Sequence, residues 1–164
     1  MSQQLVIDAH RFVRESRNLE GSLELLELPR LHDLVTQVAG KVQYRLKGVS
    51  GERGQPRLHL EVSGVLPLIC QRCLATVEEE LEIDSLLELV PEGSEPTQEE
   101  LEDDSLDFLP VAGALDVRAL IEDEILLALP VAPRHEACGL PSDTEAGERP
   151  HPFAALAGLK GKLN

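Results

Sequence analysis

Apolar and polar residues alternate through residues 41–47, with Val42, Tyr44 and Leu46 on one side and Lys41, Gln43, Arg45 and Lys47 on the other. Residues 57–63 repeat the pattern, setting Leu58, Leu60 and Val62 against Arg57, His59, Glu61 and Ser63. Successive side chains of a strand point to opposite faces, so a period of two marks strands with one face in a core and one in water. The intervening "GVSGERGQP" (48–56) has the glycines for a reversal and a closing proline, so the pair reads as a hairpin. Residues 77–84 alternate too, with Val77, Leu81 and Ile83 inward and Glu78, Glu80, Glu82 and Asp84 outward. Consecutive antiparallel strands are the economical arrangement.

The remaining segments read as follows. "IDAHRFVRES" (7–16) predicts a short helix with Asp8 as N-cap. "LEGSLELLEL" (19–28) predicts a strand, and "PRLHDLVTQV" (29–38) a helix with Pro29 at its favourable first position. Residues 91–106 mix Pro, Gly, Ser and acids without periodicity and predict an exposed acidic loop. "LDVRALIEDEILLALP" (115–130) is the strongest helix pattern, capped by Asp116 and stopped by Pro130. Residues 131–150 read as loop, and 151–162 as a short C-terminal helix with Phe153, Leu156 and Leu159 as its apolar stripe. The expected fold class is α+β: a mainly antiparallel sheet with a few packed helices, in a single domain over 1–164 with an acidic loop insert.

Composition constrains this picture without changing it. The 164 residues suit one domain, and aromatics at 2% leave the core to Leu, Val, Ile and Ala. Three cysteines do not make a disulfide framework. The opening residues do not read as a signal peptide, and no apolar run approaches the roughly 20 residues of a membrane span. A reducing cytoplasm is the expected location, with thiols free or metal-bound and no membrane partner.

The cysteines are the first candidate chemistry. Cys70 and Cys73 stand in "ICQRCLAT" (69–76). A thioredoxin-like C-x2-C opens a helix, where the helix N-terminus lowers a thiol's pKa; here strand-like sequence lies on both sides, which excludes the redox reading. Residues three apart in a regular strand face opposite ways, so the thiols converge only if Gln71 and Arg72 form a turn. Leu66–Pro67, which should interrupt the strand upstream, favours one. Zinc then needs two more ligands, and His135 and Cys138 offer them in the loop after the long helix. The other reading is a pair of reduced thiols beside a packed sheet, with an unrelated loop histidine. The second oddity is Glu124, which at 100° per residue shares an arc with Val117, Leu120, Ile121, Ile125 and Ala128, whereas Glu122 and Asp123 fall outside it. A carboxylate there either reaches water from the edge of the arc or finds a partner, and Arg72 is the candidate.

The net charge of −15 is unevenly spread. Residues 1–72 hold ten basic and eight acidic residues, and residues 73–117 hold fifteen acidic and no basic ones. Lys41, Arg45, Lys47 and Arg57, with His59, form a face that phosphates could meet, unless Glu78, Glu80, Glu82 and Asp84 on a neighbouring strand neutralise it. Four aromatic residues argue against a base-stacking platform. The phosphate-loop, H-E-x-x-H and G-x-S-x-G signatures of enzymes are absent. A metal-dependent hydrolase or nuclease using the thiol/His site or the acids remains the alternative class; unpatterned acids in a loop are more often only solvated.

"LICQRCLATVEEELEI", "LDVRALIEDEILLALPVAPRHEAC" and "HPFAALAGLK", in this order, resemble the bacterial YceD family, the large ribosomal RNA subunit accumulation proteins. The resemblance spans about residues 65–160. It implies a non-enzymatic cytoplasmic factor needed for synthesis, processing or stability of 23S ribosomal RNA. Family members carry cysteines in the C-terminal loop, where this chain has Cys138 with His135 nearby. The charge map adds that the acidic stretch repels RNA and suits a basic partner, such as a ribosomal protein or a large-subunit assembly intermediate.

Overall fold

The computed structural model describes residues 5–95, 97–98, 102 and 105–139. A five-stranded sheet runs in the order β2 (Asn18–Glu24), β3 (Lys41–Ser50), β4 (Pro56–Ile69), β5 (Thr76–Val90), β6 (Asp107–Pro110). β2 to β5 are consecutive and antiparallel, and β6 joins β5 in parallel, opposite Leu87–Val90. A two-stranded ribbon, β1 (Val6–Asp8) with β7 (Ala114–Asp116), launches two α-helices of the described residues, α1 (Ala9–Arg14) and α2 (Val117–Ala128). The architecture is α+β, as the alternation predicts. Among the described residues, no helix is long and apolar enough to cross a membrane.

Each helix starts where an aspartate leaves the ribbon. Asp8 accepts from the Arg11 N–H, and Asp116 accepts from the N–H groups of Arg118 and Ala119, satisfying donors that a helix N-terminus otherwise strands. α2 ends at Ala128, two residues before Pro130. One apolar core joins the inner faces of β3, β4 and β5 to Phe12 and Val13 of α1 and to Val117, Ile121 and Ile125 of α2.

Several expectations change. The strand expected over 19–28 stops at Glu24, and the helix expected from Pro29 is one 3₁₀ turn, Pro29–Leu31, following another at Leu25–Glu27. Leu25, Leu28 and Leu31 are all fully buried, and the three-residue repeat of 3₁₀ geometry lets all three face inward. The chain then runs along β4 beyond the end of β3: the Thr36 N–H donates to the Pro67 carbonyl, and the Ile69 N–H to Leu34. Pro67 therefore does not interrupt β4. Its carbonyl faces this flanking segment, so its missing N–H is on that side as well and no bond to β5 is lost. The strands β1, β6 and β7 are too short for alternation to mark. Of the acidic stretch 91–106, residues 91–95, 97–98, 102 and 105 are described and exposed, as expected of an exposed loop; the expected helix over 151–162 lies wholly outside the described residues.

Candidate metal centre

β4 and β5 pair over thirteen registers, ending at Ile69 opposite Thr76. The six residues between them form the turn that the C-x2-C spacing requires. The Cys70 N–H donates to Ala75 and the Leu74 N–H donates back to Cys70, while Leu74 adopts a left-handed φ of 62° to close the loop. A non-glycine residue accepts such a conformation at a cost of about 1–2 kcal/mol, so a substantial local constraint holds it.

The loop after α2 comes back to this turn. Pro133 accepts from the Gln71 N–H at 2.8 Å. The Arg72 guanidinium donates to the carbonyls of Cys138 (2.8 Å) and His135 (3.4 Å). These bonds bring four donor atoms together: Cys70, Cys73 and Cys138 Sγ and a His135 ring nitrogen all lie within 4.8 Å of one another. Cys70 Sγ is 3.7 Å from Cys138 Sγ, and Cys73 Sγ is 3.4 Å from His135 Nδ1. Tetrahedral zinc with bonds of ~2.3 Å to sulfur and ~2.0 Å to nitrogen sets these edges at about 3.8 and 3.5 Å. The four residues can thus hold a metal ion, and these two separations are of the size that a tetrahedral shell requires.

The surroundings prepare the ligands. His135 Nε2 lies 2.8 Å from the Thr76 carbonyl, an acceptor, which fixes the proton on Nε2 and leaves the Nδ1 lone pair facing the thiols. Burial alone would push the Cys70 thiol up, but backbone groups of Cys73, Arg72 and His135, with the Cys73 side chain, outweigh it and hold it at about 5. Cys138 moves the other way, raised by burial and then by the neighbouring Cys70 and Cys73 side chains. Three thiols packed this closely cannot all ionise without a cation among them, and a divalent metal removes that conflict.

Arg72 does not pair with Glu124. Its guanidinium is committed to the two loop carbonyls, and Glu124 accepts from the Ser85 hydroxyl at 2.6 Å. The carboxylate buried on α2 is instead Glu122, 5% exposed, whose Oε1 accepts from the Arg30 N–H at 2.7 Å. The 3₁₀ turn Pro29–Leu31 packs against that flank of α2, rotating the covered arc toward Glu122 and away from Ala128, which is exposed. Arg30 also ion-pairs with Asp123.

On the water-facing side of the sheet, register pairs the basic residues. Arg45 sits between Glu20 (3.4 Å) and Glu61 (3.5 Å), and Lys47 is 3.4 Å from Glu61. Arg57 holds Glu88 at 2.9 Å, and His59 lies 2.6 Å from Asp84. Of the four basic candidates only Lys41, exposed at the start of β3, has no ion pair among the described residues. Glu78, Glu80 and Glu82 project from β5 and have no ion pair among the described residues.

Sequence reading missed the Thr76 carbonyl, the Gln71 N–H bond to Pro133, and Glu122. The first two act through backbone atoms, which side-chain identity does not announce.

The family model of the large ribosomal RNA subunit accumulation protein YceD matches residues 58–160. No curated protein and no solved structure matches the chain.

Proposed function

Because the chain belongs to the YceD family of large ribosomal RNA subunit accumulation proteins, we propose that it supports synthesis, processing or stability of 23S ribosomal RNA in the cytoplasm by binding. In this reading one structural zinc, held by Cys70, Cys73, His135 and Cys138, ties the loop after α2 to the tip of the β4–β5 hairpin. Four protein ligands complete a tetrahedral shell and leave no position for a substrate or an attacking water, which favours a structural role over the hydrolase or nuclease alternative. Glu78, Glu80 and Glu82, which have no ion pair among the described residues, together with Asp84, suit a basic protein partner: a ribosomal protein or a large-subunit assembly intermediate.

The family match is the observation that carries this reading. Deleting the gene should lower 23S ribosomal RNA and large-subunit levels, and the wild-type chain should restore both. A basic partner captured by the zinc-loaded chain should survive ribonuclease and weaken when Glu78, Glu80 and Glu82 become Gln. Unchanged 23S levels in the deletion strain would contradict the proposal.

A further inference from the structure

Pairing on the sheet leaves the remaining cations in a pattern. Among the described residues, the exposed arginines and lysines without an ion pair are Arg14, Arg17, Lys41, Arg53 and Arg134. Lys41 starts β3 and Arg134 lies beside the cysteine turn, but the other three share one end of the molecule. Phe12 and Val13 of α1 bury into the core, which turns Arg14 outward. Ser16, at a φ of 49°, then bends the chain so that Arg17 lies over the Phe12 ring, 6.0 Å from its centre.

The α1 end is fixed to β3. The Gly48 N–H donates to the Arg17 carbonyl at 2.9 Å, and a Cβ on Gly48 would sit 2.7 Å from Phe12 O and Val13 Cα. Arg53, at the tip of the β3–β4 turn, is five residues beyond Gly48, within about 17 Å of extended-chain reach. Three carboxylates accompany this group. Glu15 is bound by Arg11 at 2.7 Å and is held down first by that hydrogen bond, with Arg17 and Arg14 adding to the effect; Asp8 acts on Arg11 from the start of α1, and Glu52 neighbours Arg53. Four arginines against three carboxylates leave a local surplus of cations in a chain of net charge −15.

We propose that Arg14, Arg17 and Arg53 form a contact site for the phosphate backbone of helical RNA. This goes beyond the proposed function and rests on it, because a role in ribosomal RNA accumulation makes RNA the available polyanion. The guanidinium fork suits phosphate oxygens. Phe12 and Tyr44 are buried, so neither offers a ring for base stacking. The acidic strand β5 lies two strands away from β3, across β4, and limits the footprint to a few phosphates. Arg45, Lys47, Arg57 and His59 of the sheet face take no part, because glutamates and an aspartate already hold them.

The test uses the zinc-loaded full chain and a fluorescent RNA duplex of about 20 base pairs, with affinity measured across a salt series. Three neutralised phosphates predict a slope of about −2 to −3 in log affinity against log salt. R14Q/R17Q/R53Q should weaken binding about tenfold or more and flatten the slope, whereas R45Q/K47Q should leave both unchanged. If the triple variant melts early, R14Q/R53Q, which removes no contact to the core, should still flatten the slope by about two. No binding by the wild-type chain at low salt, or wild-type affinity and slope in the variants, would overturn the site. Restoration of 23S levels by the same variants would then show that the failure is of this contact alone.

Discussion

The sheet face and the hairpin tip are built from the same two strands, yet they settle their charges differently. On the face, antiparallel register sets each cation beside a carboxylate, as with Arg57 and Glu88, so the groups are satisfied within the fold. At the tip, a turn and a returning loop gather three thiols and an imidazole around a common centre, while the nearby Arg72 directs its hydrogen bonds to loop carbonyls. Pairing closes a surface to ligands, and convergence without pairing opens one. The candidate ligands are therefore side chains that the fold draws together around one centre, rather than setting each beside an opposite charge.

The strongest way to break this contrast is at the tip. Cys70→Ser or Cys138→Ser should lower zinc affinity at least about 100-fold in competition with a chelator, because losing a ligand exceeds the cost of disturbing a ligand's support. Amide exchange should quicken over 131–139 while β3 and β4 stay protected. Zinc retention should also fall as pH falls through about 5, the value held by Cys70. The sign follows from the depressed thiol: the folded, ionised form is favoured fully above the unfolded value and loses that advantage as acid protonates it. Equal retention at pH 7 and pH 4, measured by elemental analysis, would contradict this.

Groups settled inside the fold should behave as ordinary structural partners. Glu122→Ala removes the buried carboxylate that accepts from the partly buried Arg30 N–H and should cost about 2 kcal/mol, whereas Glu124→Gln, which keeps an acceptor for Ser85, should cost less than about 1 kcal/mol. Urea unfolding of the two variants checks the order, and reversal would return the buried arc of α2 to Glu124. On the sheet, a double-mutant cycle should give about 1–2 kcal/mol for Arg57–Glu88, which is only 21% and 13% exposed. The more exposed Arg45–Glu20 pair should give less than about 0.5 kcal/mol. The smallest effect belongs to Leu74, which carries left-handed strain in water. Leu74→Gly should raise stability by no more than about 1 kcal/mol, since relieved strain is partly offset by glycine's chain entropy.

The legible part of the fold was what periodicity governs. β3, β4, β5 and α2 announced themselves because one face of each is buried over many residues. The Leu25–Val35 region misled because Pro29 suits the first position of a 3₁₀ turn as well as that of an α-helix, and because Leu25 and Leu28 reach the core from 3₁₀ geometry instead of from a continued strand. Short β1, β6 and β7 are specified by their partners, not by their own pattern. The four candidate ligands could be picked by residue type and spacing, but the turn bringing Cys70 to Cys73 depends on backbone bonds and on Leu74, which carries no left-handed signal. The Arg72–Glu124 pairing failed for a related reason: Arg72's acceptors are backbone carbonyls, and every residue has one.

Zinc K-edge X-ray absorption on the untagged chain, purified from zinc-supplemented cells, tests the central claim directly. Closure of the tip by Cys70, Cys73, His135 and Cys138 predicts one shell of three sulfur atoms at about 2.3 Å and one nitrogen at about 2.0–2.1 Å. A chain that carries no zinc, or a shell containing only oxygen and nitrogen, would contradict it.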